Sequence, residues 1–267
     1  MTEKKSPLRR PPLRQAGQSL QEEIDRISDG KISDYAVILC FPIAFALMEW
    51  IFVYFKTPRQ PWLMTGLALI CFAYAWVKLQ PLYKTRRNLR LARDGERIVG
   101  QELEKLRANG FRIYHDFLGD GFNIDHIVVG PTGVFTINTK TISQPKNNNI
   151  PIQYDGVELR VPGTTFDQDP IAQAKGEGNF VHTWIKEKAN REVPVRAAVV
   201  FVGWNIVDQP KGADVWVLNV PGLLSFIKNE WSELSQDDIV HICGILENHI
   251  LLKEEFLSGK SAKTWSV

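Results

Sequence analysis

The chain has 267 residues, with Lys+Arg 32 against Asp+Glu 30, a formal net charge of +2. That near balance excludes a histone-like or ribosomal coating protein. With 23% charged and 44% hydrophobic residues, wholesale disorder is excluded as well. Cys40, Cys71 and Cys243 are odd in number and scattered, so they form no disulfide framework, and no CxxC spacing suggests zinc.

Residues 1–32 read as a basic, disordered arm, in which Lys4, Lys5, Arg9, Arg10 and Arg14 surround Pro7, Pro11 and Pro12. Within it, Leu20, Ile24 and Ile27 recur at helical spacing and predict a short amphipathic helix. Tyr35 to Phe55 is then an almost unbroken apolar run, close to the ~20 residues that cross a bilayer core. Lys56 to Pro61 is a short polar turn, and Trp62 to Leu79 is a second apolar run. Trp50, Tyr54, Trp62 and Trp76 sit near the run ends, where interfacial aromatics belong. Residues 33–80 are therefore expected to be a two-helix transmembrane hairpin, with the lipid bilayer as a partner.

Lys4, Lys5, Arg9, Arg10, Arg14, Arg26 and Lys31 precede the first run, and Lys84, Arg86, Arg87, Arg90, Arg93 and Arg97 follow the second. The turn carries only Lys56 and Arg59. This asymmetry predicts a multi-pass protein of the cell (inner) membrane with its N-terminus and C-terminal domain in the cytoplasm. Pro42 is tolerable within a membrane helix. Glu49, the one carboxylate of the first run, reads as an interfacial residue rather than an ion path, because one acid without partners makes no pathway.

Residues 81–267 read as a cytoplasmic α/β domain. Arg93 to Asn109 is expected to be a helix closed by Gly110. Phe111 to Phe117 alternates as a strand. Asn123 to Val129 and Val134 to Lys140 are expected strands joined by the Gly130-Pro131-Thr132-Gly133 turn. Ile152 to Val161 suggests a second hairpin around Asp155-Gly156. Asp169-Pro170 caps a helix running to about Lys188. Val195 to Val202 and Val215 to Asn219 are apolar enough for buried strands. Ser235 and Asp238 open a last helix from Gln236 to about Leu252.

If Gly130 and Gly133 close the turn, Asp125 lies opposite Asn138, and Lys140 shares the face of Asn138. An acid, an amide and a lysine gathered in this way suit a divalent cation and an anionic phosphate. Glu96, Val99, Leu103 and Leu106 fall on one helix face, so Glu96 points toward the sheet. Gln173 lies near a helix N-terminus, where anions are favoured, with Phe180 and Trp184 on the same side as core residues. His115 and His126 have no Cys at metal-ligand spacing, and His126 reads as a satisfied core histidine. Lys146 with Asn147, Asn148 and Asn149 is a polar loop. The chain holds no GxxxxGK[ST] phosphate loop and no GxSxG nucleophile elbow.

Several of these motifs occur together and in order: Gly95-Glu96, Ile124-Asp125-His126-Ile127-Val128-Val129, Gly130-Pro131-Thr132-Gly133-Val134-Phe135, Thr139-Lys140, and Asp169-Pro170 leading to Gln173-Ala174. In this, residues from about 93 to 190 resemble the NERD (nuclease-related) domain of the PD-(D/E)xK nuclease superfamily. The resemblance implies a restriction-endonuclease-like mixed α/β sheet flanked by helices, here preceded by the transmembrane hairpin. It implies Mg²⁺ (or Mn²⁺)-dependent phosphodiester hydrolysis, with DNA as the partner. Glu96 and Asp125 would hold the metal, Lys140 would orient the water or stabilise the phosphate, and Gln173 would support the site. The family pattern has Glu-Thr-Lys where this chain reads Asn138-Thr139-Lys140. Asn138 would then be a neutral metal ligand, with Asp116 or Asp120 as spare acids. The expectation is a membrane-anchored nuclease; the alternative is a catalytically inactive DNA-binding or scaffold protein at the membrane.

Overall fold

The computed structural model describes residues 13–56, 61–144, 150–207, 210, 212–230 and 234–257. The basic residues before Leu13, the centre of the expected polar turn, and Lys146 to Asn149 lie outside the described residues. The chain divides into two compact units: residues 19–91, and a second built from residues up to 18 together with 92 onward.

In the first unit, helix α1 (Gln18–Arg26) passes through a wide π-type turn (Ile27–Ile32) into α2 (Ser33–Tyr54), and α3 (Pro61–Glu104) follows. The short amphipathic helix expected from Leu20, Ile24 and Ile27 is present from Gln18, with Ile24 and Ile27 buried, inside the segment otherwise expected to be disordered. The buried residues of the two apolar stretches are Ala46, Ala68 and Ala75; small side chains let helix backbones approach closely. The edge of one Trp50/Trp62 ring meets the face of the other with centroids 5.0 Å apart, and Trp50 Nε1 donates to Thr65 Oγ1 at 3.1 Å. Both helices are long and apolar enough to cross a membrane, and only 6% of either apolar stretch is buried.

The sequence predicts separate helices on either side of Pro81, but α3 runs through it. The residues that follow, from Leu82 to Ala92, are rich in Leu, Arg, Lys and Ala, strong helix formers that carry the helix past the missing N–H. A tight 3₁₀ turn, Lys105–Asn109, ends it, and Gly110 takes the left-handed conformation (φ 84°) expected of a helix stop.

In the second unit, a five-stranded sheet has the order β1-β2-β3-β6-β8. These are β1 (Arg112–Leu118), β2 (Asn123–Gly130), β3 (Gly133–Lys140), β6 (Val195–Phe201) and β8 (Val215–Asn219). The first three strands are antiparallel, and β3-β6-β8 are parallel. The turn register is as the glycines predict, with Gly130 opposite Gly133 and His126 opposite Ile137. A smaller sheet contains β4 (Ile152–Tyr154), β5 (Leu159–Arg160) and β7 (Ile206–Val207). Helix α4 (Pro170–Ala189) makes the crossover from β3 to β6, capped by Asp169 accepting from the Ile171 amide. Helices α5 (Val220–Lys228) and α6 (Gln236–Leu257) complete the unit. The architecture is thus mixed α/β with helices on both faces.

Val99 and Leu103 of α3 pack with Val128 and Phe135 on one face, while Val181 and Ile185 of α4 pack with Val129 and Val134 on the other. One position breaks the alternation. Asp116 is left-handed (φ 51°), and Tyr114 and Phe117, three residues apart, enter the same core. A strand with strict period two would send them to opposite faces. The break lies at the β1 end where the acids described next collect.

Candidate functional site

Two helices bring carboxylates to the sheet at positions where a glycine permits close approach. A Cβ on Gly95 would collide with the Thr141 hydroxyl, so α3 reaches the end of β3 only without a side chain there. Glu96 is the next residue and is buried. On α4, a Cβ at Gly178 would stand 3.2 Å from that of Ala197, and the preceding residue, Glu177, is 4% exposed.

Asp125 projects from β2, and its Oδ2 accepts the Thr139 amide at 2.6 Å. On the α4 side, Lys140 Nζ donates to Gln173 Oε1 at 2.8 Å. Gln173 Nε2 donates to Glu177 Oε1 at 2.9 Å, and Asn138 Nδ2 donates to the same oxygen at 2.9 Å. The structure therefore brings Asn138, Lys140 and Gln173 into one hydrogen-bonded group, and its fourth member is a carboxylate that the sequence reading passed over. The signal was available: Glu177 stands four residues after Gln173, in the stripe that continues to Phe180 and Trp184. A carboxylate on a core-facing stripe is expensive to bury unless it has a task.

The electrostatics tie the group together. Burial pushes the Glu96 carboxyl well up, and the charges of Asp125 and Asp116 add to this, against the Gly17 amide and Lys140. Asp125 is raised by burial and by Asp116, opposed by the Thr139 amide and Lys140. Glu177 is pushed up to about 7 by burial and by Asp125, against its bonds from Gln173 and Asn138 and the charge of Lys140. Asp116 thus joins the cluster, as one of the two spare acids. Asp120 does not: it is exposed at the surface, paired with Lys253 at 2.8 Å.

His126 is fully buried and satisfied, as a core histidine should be. Its Nδ1 lies 2.9 Å from His115 Nδ1, His115 Nε2 lies 3.0 Å from Glu104 Oε1, and Thr139 Oγ1 lies 3.5 Å from His126 Nε2. A carboxylate only accepts, so His115 donates through Nε2 and accepts at Nδ1, His126 donates through Nδ1, and Thr139 donates to His126 Nε2. Both rings are then neutral, in keeping with burial lowering both of their pKa values. The chain of bonds anchors Thr139, whose amide holds Asp125.

Among the described residues, no three His, Cys, Asp or Glu side chains are drawn together at metal-ligand spacing. The donor chemistry nevertheless fits a hard divalent cation. Glu177 Oε2 and Asn138 Oδ1 are buried acceptors without a hydrogen-bond partner, and they stand in a group whose carboxylates, Glu96, Asp125 and Glu177, share the charge of Lys140. Oxygen donors of this kind are what Mg²⁺ and Mn²⁺ take.

Comparison with known proteins adds one finding. Residues 91–202 match the family model of the nuclease-related domain, NERD. No curated protein and no solved structure gives a match. The matched span contains every residue of the candidate site, from Glu96 on α3 to Glu177 on α4, and ends just beyond β6, so this part of the chain is similar to the nuclease-related domain.

Proposed function

We propose that the protein is a membrane-anchored nuclease that hydrolyses DNA phosphodiesters with a divalent cation at the cytoplasmic face of the membrane. The observation that carries this reading is the pair of unpartnered buried oxygens, Glu177 Oε2 and Asn138 Oδ1, beside Asp125 and Lys140 within the span similar to the nuclease-related domain. Glu96, Asp125 and Glu177 would hold Mg²⁺ or Mn²⁺, with Asn138 Oδ1 as a neutral fourth oxygen. The cation, when bound, supplies Lewis acidity toward a phosphate oxygen and acidifies water.

The chain's own residues do the rest. Lys140 presents an ammonium, oriented by Gln173, to the charge that builds up on a phosphate under attack. Asn138 and Gln173 fix the Glu177 carboxylate through Oε1, which leaves Oε2 for the cation. Glu177 also restores the negative charge that Asn138 removes from β3, and for that reason we favour catalysis over a binding-only role. Support for anchoring is the apolar surface of α2 and α3, which is almost wholly exposed among the described residues.

The test is nicking of supercoiled plasmid by the detergent-solubilised full-length chain, with Mg²⁺ or Mn²⁺ against EDTA. Cation-dependent nicking that Asp125→Asn removes supports the reading. Salt-dependent DNA binding without nicking would make the protein a binding module, and neither activity would sink both.

A further inference from the structure

Residues 13–18 precede the apolar hairpin in sequence, yet they belong to the same compact unit as residues 92 onward. In sequence, the hairpin is therefore an insertion near the start of the domain. The contacts of this short strap are specific. Arg14 is 4% exposed, and its Nε and a terminal nitrogen both reach Asp116 Oδ2 at 2.8 Å. Its other terminal nitrogen pairs with Glu254 of α6. Gly17 is left-handed (φ 71°), a Cβ there would stand 2.8 Å from Arg93 Cγ, and its amide donates to the Glu96 carboxylate. A Cβ on Gly100 would lie 2.9 Å from that of Ala16, so the helix bearing Glu96 leaves room for the strap.

We propose that this strap is a working part of the acid site and that Arg14 is its positioning residue. Asp116 is buried, left-handed and next to Asp125 and Glu96. Left alone, it is a further carboxylate competing for the cation that Glu96, Asp125 and Glu177 are to hold. The ion pair with Arg14 fixes Asp116 and cancels its charge. Arg14 therefore offsets part of the negative charge that Glu96, Asp125, Asp116 and Glu177 would bring together beside the Lys140 ammonium. Glu254, at the rim, shares the guanidinium and orients it from the other side. This inference rests on the cation-dependent reading above.

The experiment uses the full-length chain in detergent at pH 8, with Mn²⁺ alone as the binding probe, plasmid nicking as the activity, and a thermal melt to show folding. Arg14→Gln removes the Arg14 counter-charge from Asp116, so Mn²⁺ should bind roughly three- to tenfold more tightly, since an opposing unit charge is lost, while nicking falls. A merely structural strap would lower both. Arg14→Lys keeps the charge but not the fork and should leave Mn²⁺ affinity nearer the wild-type value than Arg14→Gln does, and Arg14→Gln/Asp116→Asn should return Mn²⁺ affinity to the wild-type value. Unchanged or weaker Mn²⁺ binding by folded Arg14→Gln overturns the proposal. Trypsin supplies a readout independent of the metal. Cleavage after Arg14 should be slow in wild type and fast in Asp116→Asn, and rapid cleavage in wild type overturns the strap outright. Wild type that protects Arg14 but binds no Mn²⁺ overturns the cation-dependent reading, and with it Arg14's effect on the cation, while the strap contact stands.

Discussion

Asn138 Nδ2 on β3 donates to Glu177 Oε1 on α4 at 2.9 Å, across 39 residues of sequence. An amide stands where the family pattern has an acid, and the acid stands one hydrogen bond away on the neighbouring helix. Glu177→Gln should therefore leave the chain folded and reduce nicking by at least about 100-fold. Asn138→Glu alone sets a second carboxylate against the first and should destabilise the fold by about 1–3 kcal/mol. The exchange Asn138→Glu/Glu177→Gln keeps one acid and one amide in contact, and should recover much of both losses in melts and nicking assays. Full activity in Glu177→Gln would remove that residue from the site.

Stability should depend on pH in a direction set by Glu177. Its folded pKa is raised to about 7 from an ordinary 4.5, so between those values the native chain keeps a proton that the unfolded chain has released. The stabilisation is complete below pH 4.5, falls as pH rises, and is lost above about 7, on the order of 3 kcal/mol in all. Glu96 is raised too and acts in the same sense. In EDTA the chain should melt at a lower temperature at pH 8 than at pH 6. Glu177→Gln should flatten the dependence, and Mn²⁺ should raise the melting temperature most at pH 8. A melting temperature in EDTA that rises from pH 6 to 8 would contradict this assignment.

Among the described residues, Lys140 donates to Gln173 and to no acid directly, so the ammonium remains available to a phosphate. Lys140→Met should abolish nicking without weakening Mn²⁺ binding, since an opposing charge is lost from the acid group. Gln173→Ala frees both Lys140 and Glu177 and should lower the rate by about 10-fold to 100-fold through lost orientation. Kinetics alongside Mn²⁺ titrations separate the two effects. Loss of Mn²⁺ binding in Lys140→Met would show that its role is structural.

The flanking charges predict that both ends of the apolar hairpin face the cytoplasm. Reporters fused after Lys31 and after Val267 should both report cytoplasm, and a reporter placed in the turn near Arg59 should report the far side. Any other pattern overturns the topology.

The sequence alone determined the elements and the likeness to the nuclease-related domain. Period-two alternation, the Gly130–Gly133 turn and the Asp169-Pro170 cap are local patterns, and local patterns survive in one dimension. The apolar runs were legible for the same reason, although the sequence did not show that the second of them continues through Pro81 into the helix that bears Glu96. Asp125, Lys140 and Gln173 were visible because the register of one hairpin and the start of one helix fixed them. Tertiary structure decided what depends on long-range packing. Glu177 meets Asn138 only when α4 lies on the sheet, and Gly178 makes that contact close. Asp116 enters the cluster through a left-handed backbone that no periodicity announces. Arg14 reaches it from 102 residues away, because burying Asp116 requires a counter-charge and the fold supplies it from the far side of the hairpin in sequence.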